Sequence, residues 1–288
     1  MTPAQQFAKK IGIEGPTETP LLLPEVWDVA SARLLQEANY PVLSTSAAAY
    51  AWAHGYRPSE RVNLEELLIL AGRIVRDTKS ALIADLEGCF DRSNQYVKKG
   101  VIAALKVGCI GVTIGDGGRD GMHQMLGLME VANRLKSARM AAMETKHNLC
   151  LIARTDTLHL APILANPFEE TIERANSYLN AGADLVQIGG VQHIDVVAQL
   201  VEKIEGPIGI SITHPHAPNL REYRDLGVAA ISLGTGLLRS ALTDMREKAE
   251  IIKNSGEFLH LTDTITDQEL TDLFSKEKFT LASKIAAS

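Results

Sequence analysis

Asp85 and Glu87 stand two apart in Ala81-Leu82-Ile83-Ala84-Asp85-Leu86-Glu87-Gly88, four small or apolar residues running into two carboxylates. On a strand that spacing puts both acids on one side. Two acids buried together repel unless a cation offsets them, so the pair suggests a divalent metal or a proton-transfer site. The alternative is a polar strand-to-loop junction in water. Leu149-Cys150-Leu151-Ile152-Ala153-Arg154-Thr155-Asp156 repeats the theme of an apolar strand ending in charge. Arg154 could clamp a carboxylate bidentately, or serve as a structural ion pair with Asp85 or Asp156.

The elements that must position these residues alternate regularly. Eight apolar runs read as strands: at Leu21–Leu23, Pro41–Ser46, Ala81–Glu87, Ile110–Ile114, Leu149–Asp156, Leu185–Ile188, Pro207–Ile212 and Ala230–Leu233. Each is followed by a helical segment, and no β-hairpin signal appears. Asn63 with Glu66 reads as a capping box, and Pro167 opens another helix after Asn166. Val107-Gly108, Ala181-Gly182 and Leu226-Gly227 each put a glycine at a helix C-terminus just before a strand.

Eight βα units in 288 residues imply a (β/α)8 TIM barrel, with its site at the strands' C-terminal ends. The alternative is a doubly wound sheet, but no GxGxxG follows the first strand and GxxxxGK[ST] is absent. The chain reads as one domain over 1–288, with the barrel at about 20–240 and a C-terminal helical extension at about 241–288. Strand-end candidates are Thr45, Ser46, Asp85, Glu87, Asp116, Arg154, Asp156, Thr213 and His214.

At these ends Asp85, Glu87, Asp116 and Arg154 suit a 2-oxo or 2-hydroxy acid. Ser46 and the amides of Ala47 and Ala48 could hold an anionic oxygen. Asp85 and Glu87 could hold Mg²⁺, or Mn²⁺ in its place, to stabilise an enolate. Gly115 to Gly121 reads as a mobile lid over the barrel mouth.

A net charge of −6 gives no general attraction to nucleic acid or anionic membrane. No apolar stretch reaches the length of a membrane span, and Met1 to Lys10 lacks the apolar core of a signal peptide. Cys89, Cys109 and Cys150 form no CxxC pair and read as buried fillers, which suits a cytoplasmic location.

Leu23-Pro24-Glu25-Val26-Trp27-Asp28-Val29-Ala30-Ser31-Ala32-Arg33, Thr45-Ser46-Ala47-Ala48, Ala84-Asp85-Leu86-Glu87-Gly88, Ala153-Arg154-Thr155-Asp156 and Ser232-Leu233-Gly234 resemble the phosphoenolpyruvate mutase/isocitrate lyase superfamily. The similarity runs in order from about Leu21 to Arg239. It implies an α/β barrel whose last helix is exchanged between subunits, usually in a tetramer. It also implies Mg²⁺ and small α-oxycarboxylate substrates. Family members make or break C–C bonds or P–C bonds, or hydrolyse oxaloacetate or phosphonopyruvate.

By matching motifs, the resemblance gives Asp85 and Glu87 the metal side, Arg154 the carboxylate clamp, and Ser46, Ala47 and Ala48 the substrate-oxygen contacts. Asp116 joins Asp85 and Arg154 as a catalytic candidate, and Thr213 joins the substrate-binding set.

The departures are specific. Where the family has Glu-Asp after strand four, this chain has Gly115-Asp116. Where an aspartate follows a Gly-Tyr-like segment, Pro58 stands, and the lyases' Lys-Lys-Cys-Gly-His gate loop is absent. Asp116, His123 or Glu60 are the candidate substitutes. Three readings follow: a Mg²⁺-dependent C–C lyase of the methylisocitrate type, a P–C bond enzyme, or a barrel that only binds a carboxylate or a partner.

Overall fold

The protein is described from a computed structural model. It covers residues 3–12, 19–57, 62–89, 93–117, 125–160, 164–191, 193–212, 214, 216–262 and 264–275. Nine parallel strands form one sheet: β1 (Leu21–Leu23), β2 (Glu25–Val26), β3 (Val42–Thr45), β4 (Ala81–Asp85), β5 (Gly111–Gly115), β6 (Cys150–Thr155), β7 (Leu185–Ile188), β8 (Ile208–Ser211) and β9 (Ala230–Ser232).

The strands run in the order β1-β9-β8-β7-β6-β5-β4-β3-β2. β1 and β2 are one strand interrupted at Pro24, which has no N–H for the ladder. Its first half pairs with β9 and its second half with β3, so the sheet nearly closes on itself. This is the eight-stranded barrel expected from the sequence.

Helices stand between the strands: α2 (Val29–Glu37), α3 (Ala47–Ala53), α4 (Leu64–Asp77), α5 (Asn94–Lys106), α6 (Leu128–Glu144), α7 (Pro167–Asn180), α8 (Ile194–Lys203) and α9 (Leu220–Asp225). Asn63 caps α4 as expected, though the Glu66 side chain meets the Asn63 side-chain amide and not its backbone, and Asn219 caps α9. Asn63 accepts from the Glu66 amide at 2.8 Å and Asn219 from Glu222 at 3.2 Å. Gly108 and Gly182 follow their helices with φ of 98° and 104°, backbone that a side chain would strain.

Alternation along the strands divides two cores. Val112, Ile114, Leu151, Ala153 and Val186 face the helix layer. Leu21, Leu23, Val42, Ile83, Cys150, Ile152, Leu185 and Ala230 fill the barrel's interior. The interior floor is closed by α1 (Pro3–Lys10), a helix on what the sequence presents as a polar lead-in. Phe7 and Ile11 are each 1% exposed against it, and each such burial contributes about 1.5–3 kcal/mol. The three cysteines are buried and outside any disulfide, and burial pushes the Cys150 thiol up, as fits an inert filler.

After β9 the chain continues as α10 (Gly236–Ser255) and α11 (Asp267–Ser275). Arg33 on α2 holds α11 by donating to the Leu273 carbonyl and by lying 5.4 Å from the Phe274 ring. Among the described residues, no helix is long and apolar enough to cross a membrane.

Candidate active site

Following the interior face toward the strands' C-terminal ends, the side chains change from apolar to polar. Below lie Leu23, Ile83, Ile152 and Leu185. Two residues further on, the same faces carry Glu25, Asp85, Arg154 and Gln187. Ser44, Thr113, Ser211 and Ser232 complete a buried polar layer. A sheet's two-residue period thus builds an apolar plug with a polar floor above it.

Arg154 is the centre of this layer. Its Nη1 donates to both oxygens of Asp85 at 3.3 Å, and its Nε donates to Asp156 Oδ2 at 3.3 Å. Nη2 has no hydrogen-bond partner among the described residues, and the side chain remains 22% exposed. Burial disfavours its charge, but Asp85, Asp156, Glu87 and Asp116 outweigh that and hold it firmly protonated.

Gly115 is Arg154's partner in register on β5. A Cβ there would stand 2.9 Å from Nη2 and 3.2 Å from Cζ. The guanidinium therefore lies in space that any other residue at 115 would occupy.

Asp85 is held on every side. Its Oδ1 accepts from the Glu87 amide at 2.9 Å and its Oδ2 from the Ala47 amide at 3.3 Å, while its own amide donates to Thr45 Oγ1 at 2.9 Å. Glu87 lies just past the strand in left-handed backbone, φ 45°. The strand's alternation therefore ends before it, and a turn, rather than a shared face, brings it beside Asp85.

Ser46 caps α3, its Oγ accepting from Ala49 N at 3.1 Å. Ala47 spends its amide on Asp85, and Ala48 is partly exposed at the start of the helix.

Asp116 goes elsewhere. One residue past Gly115, it faces the helix layer and is fully buried. Its Oδ1 accepts from the Asp156 amide at 3.0 Å, and its Oδ2 from Tyr178 Oη at 3.1 Å and Arg174 Nη1 at 3.4 Å. Burial, then the nearby Asp156 charge, raises its pKa to about 6. Asp116 thus positions Asp156 from behind. Thr213, Pro58, Glu60, His123 and the Gly118–Gly121 part of the expected lid lie outside the described residues. His214 and His216 are neighbours in the loop after β8, their rings 5.2 Å apart.

Two residues escape a reading of motifs. Glu25, at the end of β2, accepts from Ser232 Oγ, while its Oε2 is buried without a partner. Burial raises its pKa to about 8 despite the Ser232 hydrogen bond, with Asp85 adding to the rise. The signal was its place, four residues after Leu21 on the interior face. His159 sits on the 3-10 turn Thr157–Leu160. A Cβ on Gly189 would meet Asp156 Oδ1 at 2.7 Å and His159 Nε2 at 2.8 Å, so these two side chains converge over the end of β7.

The Mg²⁺ or Mn²⁺ expected at Asp85 and Glu87 does not find a fitting set of donors here. Among the described residues no three His, Cys, Asp or Glu side chains converge to hold a metal ion. Both Asp85 oxygens already accept from Arg154 and from backbone amides. A hard cation such as Mg²⁺ wants oxygen ligands in near-octahedral geometry, not a guanidinium between them.

A profile of the phosphoenolpyruvate phosphomutase family matches residues 16–253. The chain is 26% identical over 272 residues to a phosphoenolpyruvate phosphomutase of Streptomyces hygroscopicus, covering 88% of this chain and 82% of that one. It is 25% identical over 279 residues to a 2-methylisocitrate lyase of Bacillus subtilis, covering 93% and 89%. Among solved structures, a 2,3-dimethylmalate lyase of the PEP mutase/isocitrate lyase superfamily superposes with a TM-score of 0.81 at 22% identity, covering 95% and 94%.

Proposed function

The chain belongs to the phosphoenolpyruvate phosphomutase family, within the PEP mutase/isocitrate lyase superfamily, and from that premise we propose that it is a lyase acting on a small 2-oxo or 2-hydroxy carboxylic acid by breaking a C–C bond. The observation that carries this reading is Arg154, a charged guanidinium at the barrel mouth with one nitrogen free for a ligand.

The chain's own residues supply the following roles. Arg154 Nη2 receives a carboxylate oxygen, or the enolate oxygen that develops as the bond breaks, where a preorganised donor is worth most. Asp85 and Asp156 fix the guanidinium plane, and Asp116 fixes Asp156 in turn. Glu25, protonated up to pH about 8, is the acid that returns a proton to the departing carbanion, in place of a gate-loop cysteine. No step is routed through a divalent ion.

A panel of oxaloacetate, 2-methylisocitrate and 2,3-dimethylmalate, read by appearance of cleavage products, tests this. Turnover of one of them, lost in Arg154→Ala, is the expected result. Turnover that survives Arg154→Ala would remove the role given to that residue. The second reading, P–C bond chemistry, draws on the phosphomutase among the relatives. Phosphorus NMR of phosphoenolpyruvate and phosphonopyruvate separates it from the first. Silence in both assays would leave a barrel that binds a carboxylate or a partner without turning it over.

We also propose that the protein is an oligomer. Leu242, Met245, Phe258, Leu259 and Phe274 expose apolar surface on α10, α11 and the segment between them. A monomeric mass in light scattering would sink that idea.

A further inference from the structure

We infer that Arg154 is the built-in cation of this active site: it engages both oxygens of Asp85, the carboxylate a divalent ion would need, and Gly115 is the residue that admits it. The inference deepens the reading above, since it concerns the same site, but it can fail while the reaction class stands.

Three observations carry it. The first is steric. Arg154 and Gly115 are register partners, and the guanidinium packs over the glycine so closely that a Cβ would stand 2.9 Å from Nη2. A residue with a side chain at 115 and this pose of Arg154 exclude each other. The second is electrostatic. Asp85 and Asp156 each pair with Arg154 at 3.3 Å, so a fixed monocation already offsets part of the charge that would recruit a dication. The third is the donor count. Position 115 is glycine and supplies no donor, Asp116 turns to Arg174 and Tyr178, and both oxygens of Asp85 are occupied.

The chemical consequence follows from geometry. The unpartnered Nη2 of a fixed guanidinium offers N–H donors in its plane, suited to an oxygen of a carboxylate or enolate lying in that plane. A dication would chelate two oxygens of the ligand and bring water with it. The site therefore takes planar oxyanions without metal, and chelators leave that binding intact.

The test uses the metal alone. Metal-stripped wild type, Arg154→Gln and Gly115→Glu are each titrated with Mn²⁺, and the free ion is read by electron paramagnetic resonance. Wild type is expected to bind more weakly than about 1 mM. Arg154→Gln removes the competing charge and frees the Asp85 oxygens. Gly115→Glu displaces the guanidinium and adds a carboxylate. At least one folded variant, judged by circular dichroism, is expected to bind Mn²⁺ about tenfold or more tightly than wild type.

Binding of Mn²⁺ to wild type below about 100 μM would overturn the inference, because the ion would then be displacing Arg154 with ease. Failure of both folded variants to gain affinity would overturn it equally, because Arg154 would not be what keeps the ion out.

Discussion

Two arginine–aspartate pairs stand within one barrel, and they differ in where they face. Arg174 and Asp116 lie between the barrel and α7 with side chains 8% and 0% exposed. Arg174 spends its donors on Glu170, Asp116, the Leu126 carbonyl and Tyr178 Oη. Arg154 and Asp85 lie on the interior face at the mouth, with side chains 22% and 10% exposed. The residue types are the same, and the strand period sorts them. Position 115 faces in, so 116 faces out. The outward pair is a buried strut, and the inward pair is a partly open set that a ligand can reach.

That division sets the largest expected effect. Arg174→Ala leaves Asp116 as a buried, poorly compensated acid and should lower stability by about 3–5 kcal/mol in urea denaturation. Arg154→Ala should cost only about 1 kcal/mol, because Asp85 keeps two amide donors and Asp156 is partly open to water. Equal losses from the two substitutions would break the comparison, since both arginines would then be struts.

Glu25 sharpens it next. Its folded pKa of about 8 lies above its ordinary 4.5, so the native state binds a proton that the unfolded chain has released. Stability attributable to it is fully present below about 4.5 and is lost as pH rises toward 8. Asp116, with its value near 6, acts in the same direction but lower, so the interval from pH 6 to 8 isolates Glu25. Across that interval wild type should lose about 2 kcal/mol more than Glu25→Gln, which has no proton to lose. Parallel pH profiles would mean that the mouth holds no protonated acid.

The third effect concerns the ligand. Gly115→Ala places a methyl 2.9 Å from Arg154 Nη2, the far end of a flexible side chain, so the fold should tolerate it. Oxalate, a planar dianion that mimics an enolate of pyruvate, should bind about tenfold more weakly by calorimetry, or about 1.4 kcal/mol. Gly111→Ala on the same strand is the contrast. Its Cβ would stand 2.2 Å from the Cys150 carbonyl oxygen, and backbone cannot step aside. That variant should lose stability, and an unchanged oxalate affinity in Gly115→Ala would show that Arg154 does not meet the ligand.

Most of the barrel was legible because its signals are local. Apolar runs, caps and helix-ending glycines are written within ten residues of one another. Asp85 and Arg154 were legible for the same reason, as charges at the ends of apolar strands. What the sequence hid depends on facing. Asp116 reads as a strand-end acid, and only the strand's exact end shows that it points at α7. Glu87 reads as sharing a face with Asp85, but the turn begins first. α1 reads as polar because its apolar content is sparse, yet Phe7 and Ile11 are the residues that meet the barrel floor. The pairing of Gly115 with Arg154 is a register fact between residues 39 positions apart, which no local pattern carries.

The smallest effect asks whether the two regions are independent. Tyr178 Oη accepts from Arg174 at 3.0 Å and donates to Asp116 at 3.1 Å, closing the strut without touching the mouth. Tyr178→Phe removes that oxygen and leaves each neighbour other partners, Leu126 and Glu170 for Arg174 and the Asp156 amide for Asp116. The net cost should be about 1 kcal/mol by thermal or urea unfolding. Oxalate affinity should stay at the wild-type value, because Asp116 Oδ1, and not the oxygen facing Tyr178, holds Asp156 in place. A fall in affinity that tracked the loss of stability would mean that Asp116 relays strain from the helix layer to Arg154. The outward pair would then be part of the site's machinery rather than its support.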